Sequence, residues 1–112
     1  MHLSSKDVGD VRVVALEEAR LDSAGALEFK EQMRAIGSGG PGRVILDMAQ
    51  VQFLDSSGLG ALVAVMKLLA PDVTLEVAAL APAVAQVFRL TRMDGVFKVH
   101  ESAEAATAAS AN

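Results

Sequence analysis

Apolar and polar residues follow two patterns along this chain, which predict short strands separated by helices. Runs rich in Val, Ile and Leu at residues 11–16 and 44–46 predict strands, and the second run has the continuous apolar character of a central strand covered on both faces. Residues 73–77 alternate apolar and polar side chains, which predicts a strand with one wetter face. Shorter strands are expected at residues 3–6, as a sheet edge, and at residues 96–99.

Helices are predicted where apolar residues recur at spacings of three and four. The first helix follows Asp22 or Ser23, either of which can cap it through a side-chain oxygen. Its apolar stripe consists of Ala26, Phe29, Met33 and Ile36. The glycine-rich residues 37–42 end this helix. A later helix begins at Pro82, where the missing N–H costs nothing, with Val84, Val87 and Phe88 on one face.

The helix predicted at residues 57–69 is apolar almost all round, with Lys67 as its only charge. One stripe, expected to face the core, consists of Leu59, Leu62, Val63 and Met66. A second stripe consists of Ala61, Ala64, Val65 and Leu68. A surface helix needs only one apolar stripe, so the second is either covered by the helix near residues 81–91 or forms a docking patch.

The alternation of strands and helices predicts an α/β fold with partly parallel strand pairing. A chain of 112 residues suffices for one domain, so we expect a single domain over residues 1–112. Its core is expected at about residues 11–104. The alanine-rich residues 105–112 have weak core-forming power, and we expect them to fray although a final helix is predicted from about residue 102.

Composition excludes several classes of function. The absence of cysteine excludes disulfides, thiolate zinc sites and cysteine nucleophiles. The net charge of −4, the lack of a basic cluster and the absence of Trp and Tyr argue against nucleic-acid binding. No apolar run reaches the ~20 residues that span a bilayer, and no signal peptide is recognisable. We therefore expect a soluble, cytoplasmic protein without direct membrane insertion.

The sequence offers poor candidates for catalysis. Its two histidines, His2 and His100, are expected at the surface and do not form a metal-ligand set. Ser56 and Ser57 lack the G-x-S-x-G pattern of a nucleophile elbow, and a small hydrolase would need His100 beside one of them. The loop at residues 37–43 follows a helix and lacks the Lys-Ser/Thr of a phosphate-binding loop. We expect no enzyme activity, catalytic residue, metal or cofactor.

The segment D-S-S-G-L-G at residues 55–60 stands where an apolar strand meets an apolar helix. Asp55 and Ser56 are both good N-caps, whereas Gly58 and Gly60 each cost about 0.8–1 kcal/mol of helix propensity relative to Ala. Glycines at a helix start permit close approach of another backbone or of a partner. The segment is therefore either an ordinary cap with tight helix–strand packing or a docking site with a modifiable serine.

A phosphate on a first-turn serine would act as a removable charge. It would carry about −1.5 to −2 charges, which the helix N-terminus favours by ~0.3–1 kcal/mol while Asp55 opposes it. A partner that covers the site with apolar surface would have to bury that charge. A penalty of ~3 kcal/mol weakens binding about a hundredfold.

These residues resemble the STAS domain, specifically the bacterial anti-sigma factor antagonists. The matching segments are V-I-L-D at residues 44–47, V-Q-F-L-D-S-S-G-L-G-A-L at 51–62, Leu21-Asp22 upstream, and L-T-R-M-D-G-V-F at 90–97. The resemblance spans about residues 11–104. Many relatives carry a glycine two residues before Leu-Asp, and residues 17–22 contain none. A missing glycine affects how the chain bends before Asp22, and through the position of Asp22 it affects the choice of partner.

The resemblance implies a small mixed sheet of four or five strands with helices mainly on one side. It also implies a partner switch, in which the unmodified protein binds an anti-sigma factor serine kinase and so frees a sigma factor. Phosphorylation of Ser57 by that kinase ends the binding. A PP2C-type phosphatase removes the phosphate and restores binding. ATP belongs to the kinase. The implied partner-binding residues are Asp22, Asp55, Ser56, Ser57, Gly58, Leu59 and Gly60, with Asp22 and Asp55 near the phosphorylated serine. The choice of Ser57 over Ser56 comes from the resemblance alone.

The same family resemblance leaves another function open. The chain could be a constitutive STAS subunit of a larger assembly, such as a lipid-transport ABC complex. That alternative requires a stable non-kinase partner and no effect of Ser57→Ala on binding.

Overall fold

Five strands form one mixed sheet in the computed structural model, which describes residues 1–110. In chain order the strands of the whole molecule are β1 (Leu3–Val8), β2 (Val11–Leu16), β3 (Arg20–Leu21), β4 (Arg43–Asp47), β5 (Phe53–Leu54), β6 (Thr74–Ala78) and β7 (Val99–His100). The main sheet has the order β1-β2-β4-β6-β7, with β1 antiparallel to β2 and the other pairs parallel. Strands β3 and β5 pair in parallel as a separate ribbon.

Three of the helices cover one face of this sheet. The helices are α1 (Ala26–Gly37), α2 (Ser56–Leu69), α3 (Pro82–Leu90) and α4 (Ala103–Ser110). The order β2-β4-β6-β7 advances in one direction, and parallel crossovers are right-handed, so α1, α2 and α3 lie on the same face. Helix α4 follows β7 and packs on the opposite face. The expected fold class, a mixed α/β sheet with helices mainly on one side, is confirmed.

The pleat of the strands divides their apolar side chains between two layers. Val14, Leu46 and Val77 are register neighbours on the face covered by α1, α2 and α3, and all three are fully buried. Val13 and Ile45 are neighbours on the opposite face. Because β4 is apolar on both sides, the prediction that residues 44–46 form a central strand covered on both faces is confirmed.

The final helix predicted from about residue 102 is present as α4, which includes residues 105–110 of the segment expected to fray. Ala106 is fully buried against Val13 and Ile45, in a small apolar cluster on the outer face of the sheet. Its carbonyl oxygen also accepts a hydrogen bond from Nη2 of Arg43, at 3.3 Å. The small alanine side chains allow α4 to pack closely on this face of the sheet. Close packing therefore explains why this helix is rich in alanine. Residues 111–112 lie outside the described residues.

The prediction of a wetter face on β6 is also wrong, because Glu76 is buried under α4 with only 4% of its surface exposed. Nε and Nη2 of Arg43 donate to its two carboxylate oxygens at 2.8 and 2.7 Å, and Nε2 of His100 lies 2.7 Å from Oε1. Burial raises the pKa of Glu76, but the hydrogen bonds from Arg43 and His100 outweigh burial and bring the pKa below its ordinary value. His100 is therefore an internal residue, contrary to expectation.

The segment after α3 also differs from the expected strand at residues 96–99. Met93–Gly95 forms a 3₁₀ turn, and β7 is limited to Val99–His100. Phe97 is buried and its ring lies 5.9 Å from that of Phe88. Phe97 thus packs toward α3. The chain is bonded to β6 from Lys98 onward, where the carbonyl oxygen of Lys98 accepts from the N–H of Val77 at 3.0 Å.

Candidate functional site

The N-terminus of α2 presents two serine hydroxyls at the surface. Asp55 leaves β5 in an extended conformation and caps the helix, its Oδ1 accepting a hydrogen bond from the backbone N–H of Gly58 at 2.8 Å. Ser56 and Ser57 are the first two helical residues, and both are exposed. Within residues 1–110, neither hydroxyl is hydrogen-bonded to another residue. Both are therefore open to modification or to a partner.

The two glycines of the segment serve different purposes. A Cβ on Gly58 would overlap the carbonyl oxygen of Leu21 and lie 2.8 Å from the Leu21 carbonyl carbon, so only glycine fits where α2 crosses β3. A Cβ on Gly60 would meet nothing within 4 Å. Packing therefore explains Gly58. Gly60 lies at the surface, where its missing side chain leaves the helix backbone open to close approach.

The pairing of β3 with β5 brings Asp22 to the same end of the molecule as Asp55. Arg20 pairs with Phe53 and Leu21 with Leu54, so the two aspartates directly follow paired residues. Asp22 does not cap α1, contrary to expectation: that helix starts at Ala26 after Gly25, which has no side-chain cap. Asp22 instead closes the preceding turn, its Oδ1 accepting from the N–H of Ala24 at 3.2 Å. The second carboxylate oxygen stays available for another donor.

Arg20 supplies that donor and was not anticipated from the sequence. Its Nε donates to Oδ2 of Asp22 at 3.1 Å, and its guanidinium carbon lies 4.0 Å from the centroid of the Phe53 ring. Cation–π contacts of this kind depend on strand pairing between distant segments. The sequence does show an arginine two residues before Asp22, but no sequence pattern indicates that this arginine contacts Phe53.

The two serines point to different sides of α2. Successive helical residues are rotated by about 100°, so Ser57 lies about 100° from the direction in which Gly58 meets Leu21. Ser56 lies roughly on the opposite side of the helix from that contact. Ser56 accordingly borders a groove between α2 and α3, whereas Ser57 lies outside the groove lining.

An open, largely apolar groove of about 540 Å³ separates α2 from α3 and the turn that follows it. Its lining consists of Leu54, Asp55, Ser56, Leu59, Gly60, Val63, Val87, Thr91 and Met93. Leu59 and Val63, which we expected in the core-facing stripe, are half-buried walls of this groove. Leu62 of the predicted core-facing stripe is fully buried as expected, and Ala61 and Val65 of the second stripe are buried beside it. The contact of Gly58 with Leu21 sets the rotation of α2, and the buried face that results contains residues of both predicted stripes.

The structure separates His100 from the two serines. His100 is engaged with Glu76 on the far face of the sheet and is not beside either serine. No set of three or more acidic or histidine side chains suited to a metal ion occurs in residues 1–110. None of the helices in that same range has the length and apolar content needed to cross a membrane. The site combines accessible hydroxyls, two carboxylates, one arginine and an apolar groove.

Comparison with known proteins gives a consistent result. The model of the STAS domain family matches residues 3–106. An anti-sigma factor antagonist from Mycobacterium paratuberculosis superposes with a TM-score of 0.86 at 25% identity, covering 99% of this chain and 94% of that one. An anti-sigma factor antagonist (STAS) domain protein from Planctomyces limnophilus gives 0.85 at 20% identity, covering 98% of each chain.

A further similar fold is that of the anti-sigma factor antagonist SpoIIAA, solved in two states. Its unphosphorylated form gives a TM-score of 0.74 at 20% identity, covering 95% of this chain and 93% of SpoIIAA. The phosphorylated form, from Bacillus, gives 0.68 at the same identity, covering 95% of this chain and 96% of that one.

Proposed function

Since the chain belongs to the STAS domain family, we propose that it is an anti-sigma factor antagonist whose docking to a serine kinase ends when Ser57 is phosphorylated. The observation that carries this proposal is the exposed Ser57 in the first turn of α2, next to an open apolar groove. A PP2C-type phosphatase would reset the switch, and the protein would act in the cytoplasm to regulate sigma-factor-dependent transcription.

The docking surface in this proposal consists of the groove between α2 and α3 together with Asp22 and Ser57. Gly58, also expected to bind the partner, is instead buried against Leu21 and positions α2. Leu59 and Val63 offer apolar area that the fold itself leaves half-exposed. At Gly60 the absence of a Cβ would let a partner backbone lie against α2. Apolar contact supplies affinity, and the polar end at Asp55 and Ser56 would fix orientation.

Phosphorylation of Ser57 would weaken partner binding more than it would change the stability of the fold. The hydroxyl is exposed and makes no hydrogen bond within residues 1–110, so modification removes no internal contact. A docked partner would have to bury about −1.5 to −2 charges beside Asp22 and Asp55. A cost of ~3 kcal/mol would weaken the complex about a hundredfold.

The positions of the two serines support Ser57 as the acceptor. Ser56 borders the groove and would be covered by a partner seated there. Ser57 lies outside the groove lining, at the rim of the docking surface, where the catalytic site of a kinase docked on the apolar residues would cover its hydroxyl. A hydroxyl at the rim, rather than inside the groove, suits an enzyme that modifies the protein it binds.

The proposal is tested by affinity capture of the kinase from lysate with and without ATP, followed by phosphosite mapping. We expect one phosphate, at Ser57, and release of the kinase upon its addition. Ser57→Ala should stay bound in the presence of ATP, and Ser57→Asp should fail to bind. Ser56→Ala is the matched control and should cycle like the unchanged protein.

Two outcomes would contradict the switch. The first is a phosphate found only on another residue. The second is a partner that binds modified and unmodified protein equally well. Stable co-purification with a non-kinase partner, unaffected by Ser57→Ala, would instead support the constitutive subunit of a larger assembly.

A further inference from the structure

We propose that Arg20 is the phosphate-sensing residue of this site, neutralising Asp22 and binding the phosphate once it is placed on Ser57. This inference rests on the proposed function, because it concerns regulation at the same serine. It adds a residue that the resemblance does not assign. The predicted consequence is that replacing Arg20 by a neutral residue changes the titration of a phosphate on Ser57.

The guanidinium of Arg20 is held in place but only partly used. Its Nε donates to Oδ2 of Asp22 at 3.1 Å, and its plane lies over Phe53 with 4.0 Å between the guanidinium carbon and the ring centroid. Neither terminal nitrogen has a hydrogen-bond partner in the part of the chain that the structure describes. The side chain is 60% exposed, so these N–H groups face solvent and can donate hydrogen bonds to phosphate oxygens.

Arg20 and Ser57 are linked by a short chain of contacts. The carbonyl of Leu21 lies against the Cα of Gly58, and Asp22 and Ser57 are the chain neighbours of these two touching residues. Asp22 in turn is ion-paired with Arg20. Ser57 lies about 100° around α2 from the Gly58–Leu21 contact, whereas Ser56 lies roughly opposite that contact and borders the groove. A phosphate on Ser57 would therefore lie nearer to the segment of Arg20 and Asp22 than a phosphate on Ser56.

A cation at this position would offset the repulsion between the phosphate and the neighbouring carboxylates. Asp22 and Asp55 place two carboxylates around the serine, and like charges oppose a dianionic phosphate. Arg20 offsets the charge of Asp22 through their ion pair. Its fork of donors also suits phosphate oxygens, and contact with Phe53 has already restricted the side chain, so less conformational entropy remains to be lost.

Phosphoserine incorporated during translation at position 57 tests this without any kinase. The phosphate is titrated by ³¹P NMR in the otherwise unchanged protein and in Arg20→Gln. We expect the titration midpoint of the phosphate to move to higher pH in Arg20→Gln, by roughly half a pH unit at an exposed, solvent-screened site. Arg34→Gln removes the same charge from the last turn of α1 and should leave the midpoint unchanged.

Phosphoserine placed at position 56 supplies the geometric control. Its phosphate lies on the groove side of α2, so Arg20→Gln should leave its midpoint unaltered. Equal midpoints for Arg20→Gln and the unchanged protein at position 57 would overturn the inference, as would an equal shift in Arg34→Gln or at position 56. Because the phosphate is installed directly, these results do not depend on kinase docking, which is tested separately by capture of the kinase.

Discussion

The carbonyl oxygen of Leu21 lies directly against the Cα of Gly58, where the short strand β3 crosses the first turn of α2. This contact joins the two segments that carry the candidate site, because Asp22 follows one residue and Ser57 precedes the other. It also fixes the rotation of α2, which sends Ala61 into the core and leaves the groove-lining side chains partly open. The arrangement of the site therefore depends on one position without a side chain.

Substitution of Gly58 by alanine should destabilise the protein by about 1–3 kcal/mol, the usual cost of overpacking. The new Cβ would overlap backbone at Leu21, which cannot rotate away as a side chain would. Urea unfolding followed by circular dichroism measures the effect. An unchanged or increased midpoint in Gly58→Ala would show that β3 and α2 are not in tight contact.

Substitution of Gly60 by alanine should have the opposite effect on stability. The Cβ meets nothing within 4 Å, so the gain in helix propensity remains, up to about 1 kcal/mol. Binding of the kinase should nevertheless weaken, since the new methyl group separates the two backbones. Paired unfolding and affinity measurements on this variant distinguish the effects. Increased stability with unaltered affinity would exclude Gly60 from the docking surface.

Two substitutions of Asp55 separate its capping role from its charge. Asp55→Ala should cost about 1 kcal/mol, because the N–H of Gly58 loses its acceptor. Asp55→Asn retains an oxygen that can cap equally well, so its unfolding free energy should stay within a few tenths of a kcal/mol of the original. Chemical unfolding of both variants is the measurement. Similar losses in both would show that the negative charge, rather than the hydrogen bond, stabilises the helix start.

The buried Glu76 should make stability depend on acid pH. Burial raises its pKa, but hydrogen bonds from Arg43 and His100 lower it further, so the native pKa lies below the ordinary value of 4.5. The unfolded chain therefore takes up the proton first as pH falls. The stabilisation is complete above about pH 4.5 and is lost as pH falls through the native pKa.

Glu76→Gln tests that linkage by urea unfolding between about pH 3 and pH 7. At neutral pH we expect a loss of about 1–3 kcal/mol, because the partly exposed Arg43 keeps its charge while its carboxylate partner is replaced by a neutral amide. The difference between the two proteins should shrink on acidification below pH 4.5. A difference that stays constant with pH would mean that Glu76 does not titrate with folding.

Helix α4 should prove to be an integral part of the fold. Ala106 is fully buried against the sheet, so Ala106→Leu should destabilise by about 1–3 kcal/mol through overpacking. Ala105→Leu, at an exposed position of the same helix, is the matched control and should have little effect. Thermal unfolding compares them. Equal midpoints would indicate that α4 is not packed on the sheet in solution.

Local patterns in the sequence determined the series of strands and helices, the apolar central strand β4 and the start of α2 after Asp55. These features depend on near neighbours, such as side-chain periodicity, a capping oxygen or a glycine after a helix, and are therefore readable along the chain. The exposed serines of the candidate site were identified in the same way. The family resemblance added the mixed sheet and the expectation for Ser57.

Only the tertiary structure decided which residues of α2 face the core, how Glu76 and His100 are buried, and that Arg20 rests on Phe53. It also gave the alanine-rich end of the chain a sheet face to pack against. Each of these features joins residues that are distant in sequence. Local periodicity describes one element at a time, whereas these contacts depend on how strands pair and how helices are rotated against them.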